Sequence, residues 1–586
     1  MNSIKKIMLV ALSMTTLWSC QDNLEEQFNN PQLYTPKDEQ LVSGMFTSAL
    51  LQYKFYIGDY GEMWWQMSGN GMPSYAQITH RLITSRYAWY IDYDDVVNGN
   101  GFDDSGFSWF NDYYVRMRNW PIIQKELATM SGKEYDDNII YLKLLTITKD
   151  WLALRNVDLY NSIPYTEAFK GVQGTFFPKY DNPQDVYKSV LDELEQIAGE
   201  LPGIYSKMSP AAINLLKTQD IALQGDVTKW AQYANALRLR FAVKLAAVDA
   251  TFAKRHITSA MANLPKEDLT FVLPHIDAAA DLPGGGTWQR GIYETVYSTH
   301  IPNVILNRMN FHNAAYEVGI DDPRLPVIAF PTKFNDYRGT SMNVDANDVE
   351  FPGATSGQLY FNGATNLEES ARLNVKSQYN QVTLTRNNVP ADMITLGEID
   401  LILAEIAAKG LASTGKTAGD HIVDEIRHST DYWYKLNALG QYRKDYTGPW
   451  KDLIRPVKPS AANIDLYANN VKLAFNTAGS LDNQMEIIMQ QKYIHINILH
   501  PYELWGELRR TRHPRLEPMT FHGKVMKPQP ERLRYPNSEL SNNTDQFLKV
   551  SDQNNFTSPI FWRTDGSSYY RNSDITFKTG LLPDFN

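Results

Sequence analysis

A single cysteine, Cys20, stands among the 586 residues, and this limits how the chain can hold a fold. One thiol closes no intrachain disulfide and builds no cysteine-rich zinc site. Stability must come from packed apolar surface. The means are present: 43% of residues are hydrophobic and 21% are charged, the balance of a globular chain. A chain this long can bury a large core. The net charge of −10 argues against a nucleic-acid partner, which calls for a concentrated basic face.

The position of Cys20 carries a second message. Lys5 and Lys6 precede an apolar run from Ile7 to Leu17, and Leu17-Trp18-Ser19-Cys20 closes it. A run of about 11 residues is too short to span a bilayer but suits the core of a secretory signal. The layout resembles a bacterial lipoprotein signal, cut before a lipid-bearing Cys20, although Trp18 stands where small residues are usual. No other thiol exists for Cys20 to pair with. We expect residues 1–19 to be the signal peptide, 20–30 a flexible tether and 20–586 one ligand-binding domain. Several acyl chains together hold a membrane stably where one does not. The polar, acidic leader Gln21-Asp22-Asn23-Leu24-Glu25-Glu26 reads as a solvated spacer.

Much of the chain has helical spacing. Asn182-Pro183-Gln184-Asp185 is a start signal, and Val186, Val190, Leu194, Ile197 and Leu201 follow on one face before Pro202-Gly203 ends the run. Asp226 caps a second helix, with Trp230, Ala234, Leu237, Phe241 and Leu245 on its apolar face and Lys229, Arg238 and Arg240 off it. Further helices are expected from Asp392 to Lys409, closing at Gly410, from Asp482 to Leu499, from Pro121 to Met130 and from Ile139 to Tyr160. Long stretches rich in Gly, Asn, Asp, Ser and Pro separate them: 58–106, 265–291, 331–366 and 514–586. Loops of this length carry function or small elements of their own. No tetratricopeptide signature recurs at its roughly 34-residue period.

Catalytic motifs are weak. Gly410-Leu411-Ala412-Ser413-Thr414-Gly415-Lys416-Thr417 satisfies the phosphate-loop pattern. Such a loop must follow a buried strand and open a helix, and residues 399–409 read as a helix instead. His495 and His500 are five residues apart and share no helical face. No Gly-x-Ser-x-Gly elbow is present. Asp94-Asp95 and Asp103-Asp104 offer carboxyls for glycoside hydrolysis or oxygen ligands for a structural Ca²⁺, but solvated loop acids are commoner and the calcium-loop spacing is missing. We expect no enzyme activity and no cofactor, with structural Ca²⁺ the one cation the loop acids would suit.

The aromatic residues say more. Among 13 Trp, 34 Tyr and 24 Phe, most are expected in the core. Trp64, Trp65, Tyr75, Trp89 and Trp109 fall among glycines and acids without helical spacing, and Trp288 follows Gly284-Gly285-Gly286. Flat rings beside polar side chains suit sugars, whose C–H faces stack while their hydroxyls bond the rim. These six are the expected ligand-binding residues.

Four stretches taken together resemble the SusD/RagB family, nutrient-binding surface lipoproteins of the Bacteroidetes, closest to its starch-binding-like branch. They are Leu159-Tyr160-Asn161-Ser162-Ile163-Pro164-Tyr165-Thr166-Glu167-Ala168 with Phe177 to Asp181 and Val186-Tyr187; Gly225-Asp226 with Lys229-Trp230 and Ala234 to Arg240; Asp322-Pro323-Arg324-Leu325; and Gln490-Gln491-Lys492-Tyr493 with Glu503 to Thr511 and His513-Pro514. Asn161-Ser162 departs from the Gly-Asp frequent there. The resemblance implies a mostly α fold: a degenerate tetratricopeptide-like scaffold with long loops as the binding face. It also implies a non-enzymatic outer-membrane lipoprotein, facing outward, that hands an oligosaccharide to a SusC-like TonB-dependent transporter. Acidic leaders in such proteins act as export tags. The alternatives are peptide import on the same scaffold, a transporter lid with little affinity of its own, and a surface glycosidase. The four motifs themselves read as structural: Asp226 as a cap, and Arg509 and Arg510 in ion pairs with Glu503 and Glu507 at helical spacing.

Overall fold

Capping chemistry sets most of the helix starts. The computed structural model describes residues 41–58, 109–271, 301, 303–310, 315–332, 334–339, 377–384, 389–440, 454–515, 520–521, 524–525, 531–555 and 557–564. Within these, the Asn182 side chain accepts from the backbone N–H of Gln184 and Asp185. Asp226 accepts from Thr228 and Lys229. Ser209, Asp249, Thr395, Ser460 and Ser480 do the same for their helices. Each such cap contributes about 1 kcal/mol.

The described helices of eight residues or more are α1 (Leu41–Gly58), α2 (Trp109–Arg116), α3 (Asn119–Leu127), α4 (Gly132–Tyr160), α5 (Pro183–Lys207), α6 (Pro210–Gln219), α7 (Val227–Leu245), α8 (Ala250–Ala260), α9 (Leu396–Ala408), α10 (Ala418–Leu439), α11 (Ala461–Thr477), α12 (Leu481–Ile496) and α13 (Pro501–Thr511). They pack in succession, α4 on α5, α5 on α7 and α7 on α8, then α9 on α10 and α10 on α11, with α12 against α9. This is the mostly α, tetratricopeptide-like scaffold expected. Strand β1 (Leu269–Phe271) pairs antiparallel with β2 (Ala391–Ile394), and a two-residue pair, β3 (Thr520–Phe521) and β4 (Lys524–Val525), forms a hairpin. One large apolar core draws on α1 to α10 and on α12 and α13, and a smaller one fills the space between α9, α10, α11 and α12. Among the described residues, no helix is long and apolar enough to cross a membrane.

Several expectations need correction. Pro202-Gly203 does not end α5, which continues to Lys207. Pro202 lies on the exposed side, where water can satisfy the carbonyl it leaves unpaired, while Ile204 and Tyr205 still pack on the core. Asp392 does not open a helix; it lies in β2, and Thr395 caps α9. All four residues of β2 are buried, and a short run buried on every side has no periodicity to mark it as strand. Arg238 and Arg240 are not on a solvent face. Covered by α5, α8 and α9, α7 is buried nearly all round, and these two arginines lie within it.

Buried charges require buried partners, and residues of the second and fourth motifs find them on other helices. Arg240 Nη2 lies 2.8 Å from Glu398 of α9, and Lys244 Nζ 2.7 Å from Asp158 of α4. Glu503 of α13 stands between Arg240 (3.5 Å) and Lys244 (3.7 Å). Arg510 donates to Glu405 at 2.6 and 2.7 Å and also pairs with Glu507. Arg509 makes no ion pair with Glu503 or Glu507, contrary to the expectation. The carbon of its guanidinium lies 3.5 Å from the Trp505 ring centre, and the group donates to the carbonyls of Asp158 and Glu531. The second and fourth motifs are therefore cross-braces between helices that are distant in sequence.

The phosphate-loop lookalike is a connection between helices. Gly410 ends α9 with a φ of +61°, and Thr417 caps α10 through a reciprocal bond with Asp420. Helix, not strand, precedes it, as the sequence indicated.

Candidate binding groove

Of the six expected stacking residues, Trp64, Trp65, Tyr75, Trp89 and Trp288 lie outside the described residues, as does Cys20. Trp109 starts α2, but its side chain is outside the description. The described residues form a different concave surface, an open groove of about 1070 Å³. It lies between α3, α4, α5 and the loop that follows α4.

Each wall has a local cause. α5 turns its apolar stripe to the core, which leaves Ser189, Asp192, Glu193 and Gln196 on the opposite face, toward the groove. α3 contributes Trp120 and Gln124, one helical turn apart, and Lys125 beside them. The loop contributes Tyr165, Phe169 and Lys170. Asp181 holds that loop: its carboxylate accepts from the Tyr165 N–H (2.9 Å), the Thr166 N–H (2.7 Å) and the Thr166 hydroxyl (2.8 Å). The loop begins at Asn161, whose φ of +69° is a region that Gly and Asn tolerate best. The departure Asn161-Ser162 is thus compatible with the turn.

The floor is a compact polar cluster. Lys149 Nζ lies 2.5 Å from Asp150, 3.2 Å from the Tyr165 hydroxyl and 3.4 Å from Glu193. It also sits 5.3 Å from the Trp120 ring centre and 4.9 Å from that of Tyr165, within cation–π range. Trp120 Nε1 is spent on Thr146 at 2.9 Å. Burial disfavours the Lys149 ammonium, but Asp150, Tyr165 and Glu193 outweigh it and hold its pKa well above the usual lysine value. Burial, reinforced by Glu193, pushes the Asp150 carboxyl well up from the ordinary range. Asp150 is fully buried and a ligand cannot reach it, while the Glu193 side chain keeps 36% exposure. Val172, which lines the groove, is 89% exposed, and Phe176 and Phe177 farther along the same loop are 72% and 65% exposed. The groove thus offers partly covered rings, three glutamine amides (Gln124, Gln173, Gln196) and two accessible carboxylates, Asp192 and Glu193.

Sequence reasoning missed this surface. Trp120 stands eleven residues beyond Trp109, the last of the loop aromatics before it, and Tyr165 belongs to a motif that reads as structural. The available signal was Lys149-Asp150 inside an otherwise apolar helix, because charges in such a run need partners.

A neighbouring cluster, Asp192, Glu195 and His256, brings together three groups that can ligate a metal. Arginines already neutralise it: Arg255 lies 2.5 Å from Asp192 and Arg238 2.6 Å from Glu195. Burial, with those guanidiniums, lowers His256 to about 4.

Residues 67–536 match the family model SusD-like, described as "Starch-binding associating with outer membrane". No curated protein sequence matches the chain. Among solved structures, a chitin-binding SusD homolog from Flavobacterium johnsoniae aligns at 17% identity and a TM-score of 0.57, covering 89% of this chain and 99% of that one. A SusD homolog from Parabacteroides distasonis aligns at 17% identity and a TM-score of 0.60, covering 90% and 98%. One from Bacteroides uniformis aligns at 18% identity and 0.58, covering 90% and 99%. These likenesses show a shared helical fold. The family match spans most of the chain, including the four motifs, and the chain belongs to the SusD-like family.

Proposed function

We propose that this chain is a lipid-anchored protein on the outer face of the outer membrane that binds oligosaccharides and passes them uncut to a SusC-like TonB-dependent transporter. The observation that carries the reading is the family match over residues 67–536, with its starch-binding description. A chitin-binding protein among the structural neighbours supports a glycan ligand. In this reading residues 1–19 are removed, Cys20 carries the lipid, and 20–586 form the binding domain. Trp64, Trp65, Tyr75, Trp89, Trp109 and Trp288 supply stacking rings, and the groove beside Trp120 and Tyr165 adds amides and carboxylates.

Isothermal titration of the purified chain with maltooligosaccharides, chitooligosaccharides and peptides tests this. A saturable heat with a glycan series is expected, with the glycan recovered intact. Replacing Trp64 and Trp288 together with alanine should weaken binding by roughly tenfold or more, as for a central aromatic anchor. Binding of peptides but no glycan would move the assignment to peptide import, and shortened products would make the protein a glycosidase. No binding to either, with a porin-sized partner co-purifying, would leave it a transporter lid.

A further inference from the structure

The connection Gly410–Thr417 is absorbed by neither phosphate binding nor the groove, yet it shapes a second set of ligating groups. We propose that Asp400, His421 and Asp424 form a site for a borderline divalent transition-metal ion such as Zn²⁺ or Co²⁺, stapling α9 to α10.

One imidazole nitrogen of His421 and one carboxylate oxygen each of Asp400 and Asp424 lie within 4.8 Å of one another. Atoms that share an ion at about 2.0–2.2 Å from each stand no more than about 4.4 Å apart, so small side-chain rotations bring these three onto one ion. His421 and Asp424 are three residues apart on α10 and share a face, while Asp400 comes from the neighbouring α9. A hydrogen-bond chain singles out the nitrogen that remains. The Thr414 hydroxyl gives its proton to the Lys416 carbonyl at 2.9 Å. Its oxygen therefore accepts from His421 Nε2–H at 2.8 Å. That leaves Nδ1 as the bare, basic nitrogen, and Nδ1 is buried with no hydrogen-bond partner. His421 itself is only 4% exposed. A buried lone pair without a donor is a costly feature, and a metal ion satisfies it.

The surroundings supply an outer shell. Asp400 Oδ2 lies 2.6 Å from His428 Nδ1, four residues beyond Asp424 on α10. Outer contacts of this kind orient ligands in metal sites. Two cations compete for Asp424: Lys416 Nζ at 2.5 Å and Arg427 Nη1 at 3.3 Å. Both are exposed at 55% and 47%, so each can swing into water when a divalent ion arrives. An imidazole among carboxylates favours Zn²⁺ or Co²⁺ over Ca²⁺, which takes oxygen ligands.

The test is a Co²⁺ titration of the purified full chain in chelator-free buffer, followed by ligand-field absorption in the visible. Saturable binding at a single equivalent is expected, displaced by Zn²⁺ and not by Ca²⁺, and Zn²⁺ should raise the unfolding temperature. Thr414→Ala should weaken binding about tenfold, the cost of a lost outer-shell contact. Asp424→Asn should abolish it, and Lys416→Met should strengthen it several-fold by removing a competitor. That gain distinguishes a metal site from a merely structural cluster, which Lys416→Met would loosen. No saturable Co²⁺ signal in the wild type, displacement by Ca²⁺ as readily as by Zn²⁺, or binding unchanged in Asp424→Asn would overturn the proposal.

Discussion

Replacing Arg324 with methionine is expected to destabilise the chain by about 3–5 kcal/mol, the range for removing one member of a buried ion cluster. Arg324 is fully buried. Its Nε donates to Asp322 at 2.8 Å, Nη1 to Glu425 at 2.8 Å and to Ser429 at 3.0 Å, and Nη2 to Asp322 and Gln491, each at 2.5 Å. The Tyr467 hydroxyl closes the set at 3.0 Å from Asp322. The guanidinium therefore ties the segment after residue 320 to α10 and α12, and Asp322 ties it to α11 through Tyr467. Methionine keeps much of the volume but leaves the Asp322 carboxylate buried and uncompensated. The two acids are not equivalent. Burial, with the Asp322 carboxylate adding to it and Arg324 opposing, pushes Glu425 up to about 8. Glu425 thus carries its proton at neutral pH, and Glu425→Gln should cost less than about 1 kcal/mol, since the amide preserves a neutral polar group there. Denaturant midpoints followed by circular dichroism check the ranking. A wild-type curve for Arg324→Met, or an equal loss for both variants, contradicts it.

Stability should change little near neutrality and fall steeply below about pH 4.5, where unfolded carboxylates take up protons. Burial holds three histidines below their ordinary value: His256 and His500 at about 4 and His495 at about 3. Their unfolded forms protonate first, so their contribution is lost as pH drops from about 6.5 toward the folded values. Two acids work the other way. Burial raises Asp392 to about 7 and Glu425 to about 8. The folded chain binds these protons first, so acidification stabilises through them until the unfolded carboxyls also protonate. The two sets oppose each other from about pH 6.5 to 4.5. Below that window Glu486 and Glu507 join the histidines. Against the upward push of burial, His513 and Arg308 hold Glu486 at about 2, and Arg510 and Lys492 hold Glu507 at about 2. Each unbalanced proton contributes roughly 1.4 kcal/mol per pH unit, so the loss between pH 4.5 and 3 is on the order of several kcal/mol. Unfolding temperatures measured across this range test the profile. A plateau that persists to about pH 3, or a steep fall already complete by about pH 5, would contradict the linkage.

Local chemistry was readable and distant chemistry was not. Asn182 and Asp226 announced α5 and α7 because a cap bonds to its own next turn. Gly410 marked the end of α9 because it alone relieves the positive φ there. The four motifs signalled the family, but their partners could not be paired from the string. Arg240 meets Glu398 across 158 residues, and Arg510 meets Glu405 across 105. Arg509 shows the hazard of local reasoning: spacing offered Glu503 and Glu507, and packing chose the Trp505 ring. The groove was illegible for the same reason. Trp120, Lys149, Tyr165 and Glu193 belong to four separate segments, and none has a spacing that announces the others.

What the string determined unaided was local and compositional: a lone thiol that makes disulfides impossible, helix starts written in side chains that bond to their own backbone, and a set of motifs sufficient to place the family. What only the folded molecule decided was company. Whether Arg238 and Arg240 face water, whether residues 391–394 extend or coil, and which side chains floor a groove all depend on what packs against them. Packing is a sum of contacts between residues far apart in the chain, and periodicity within one segment carries no information about the surface it will meet.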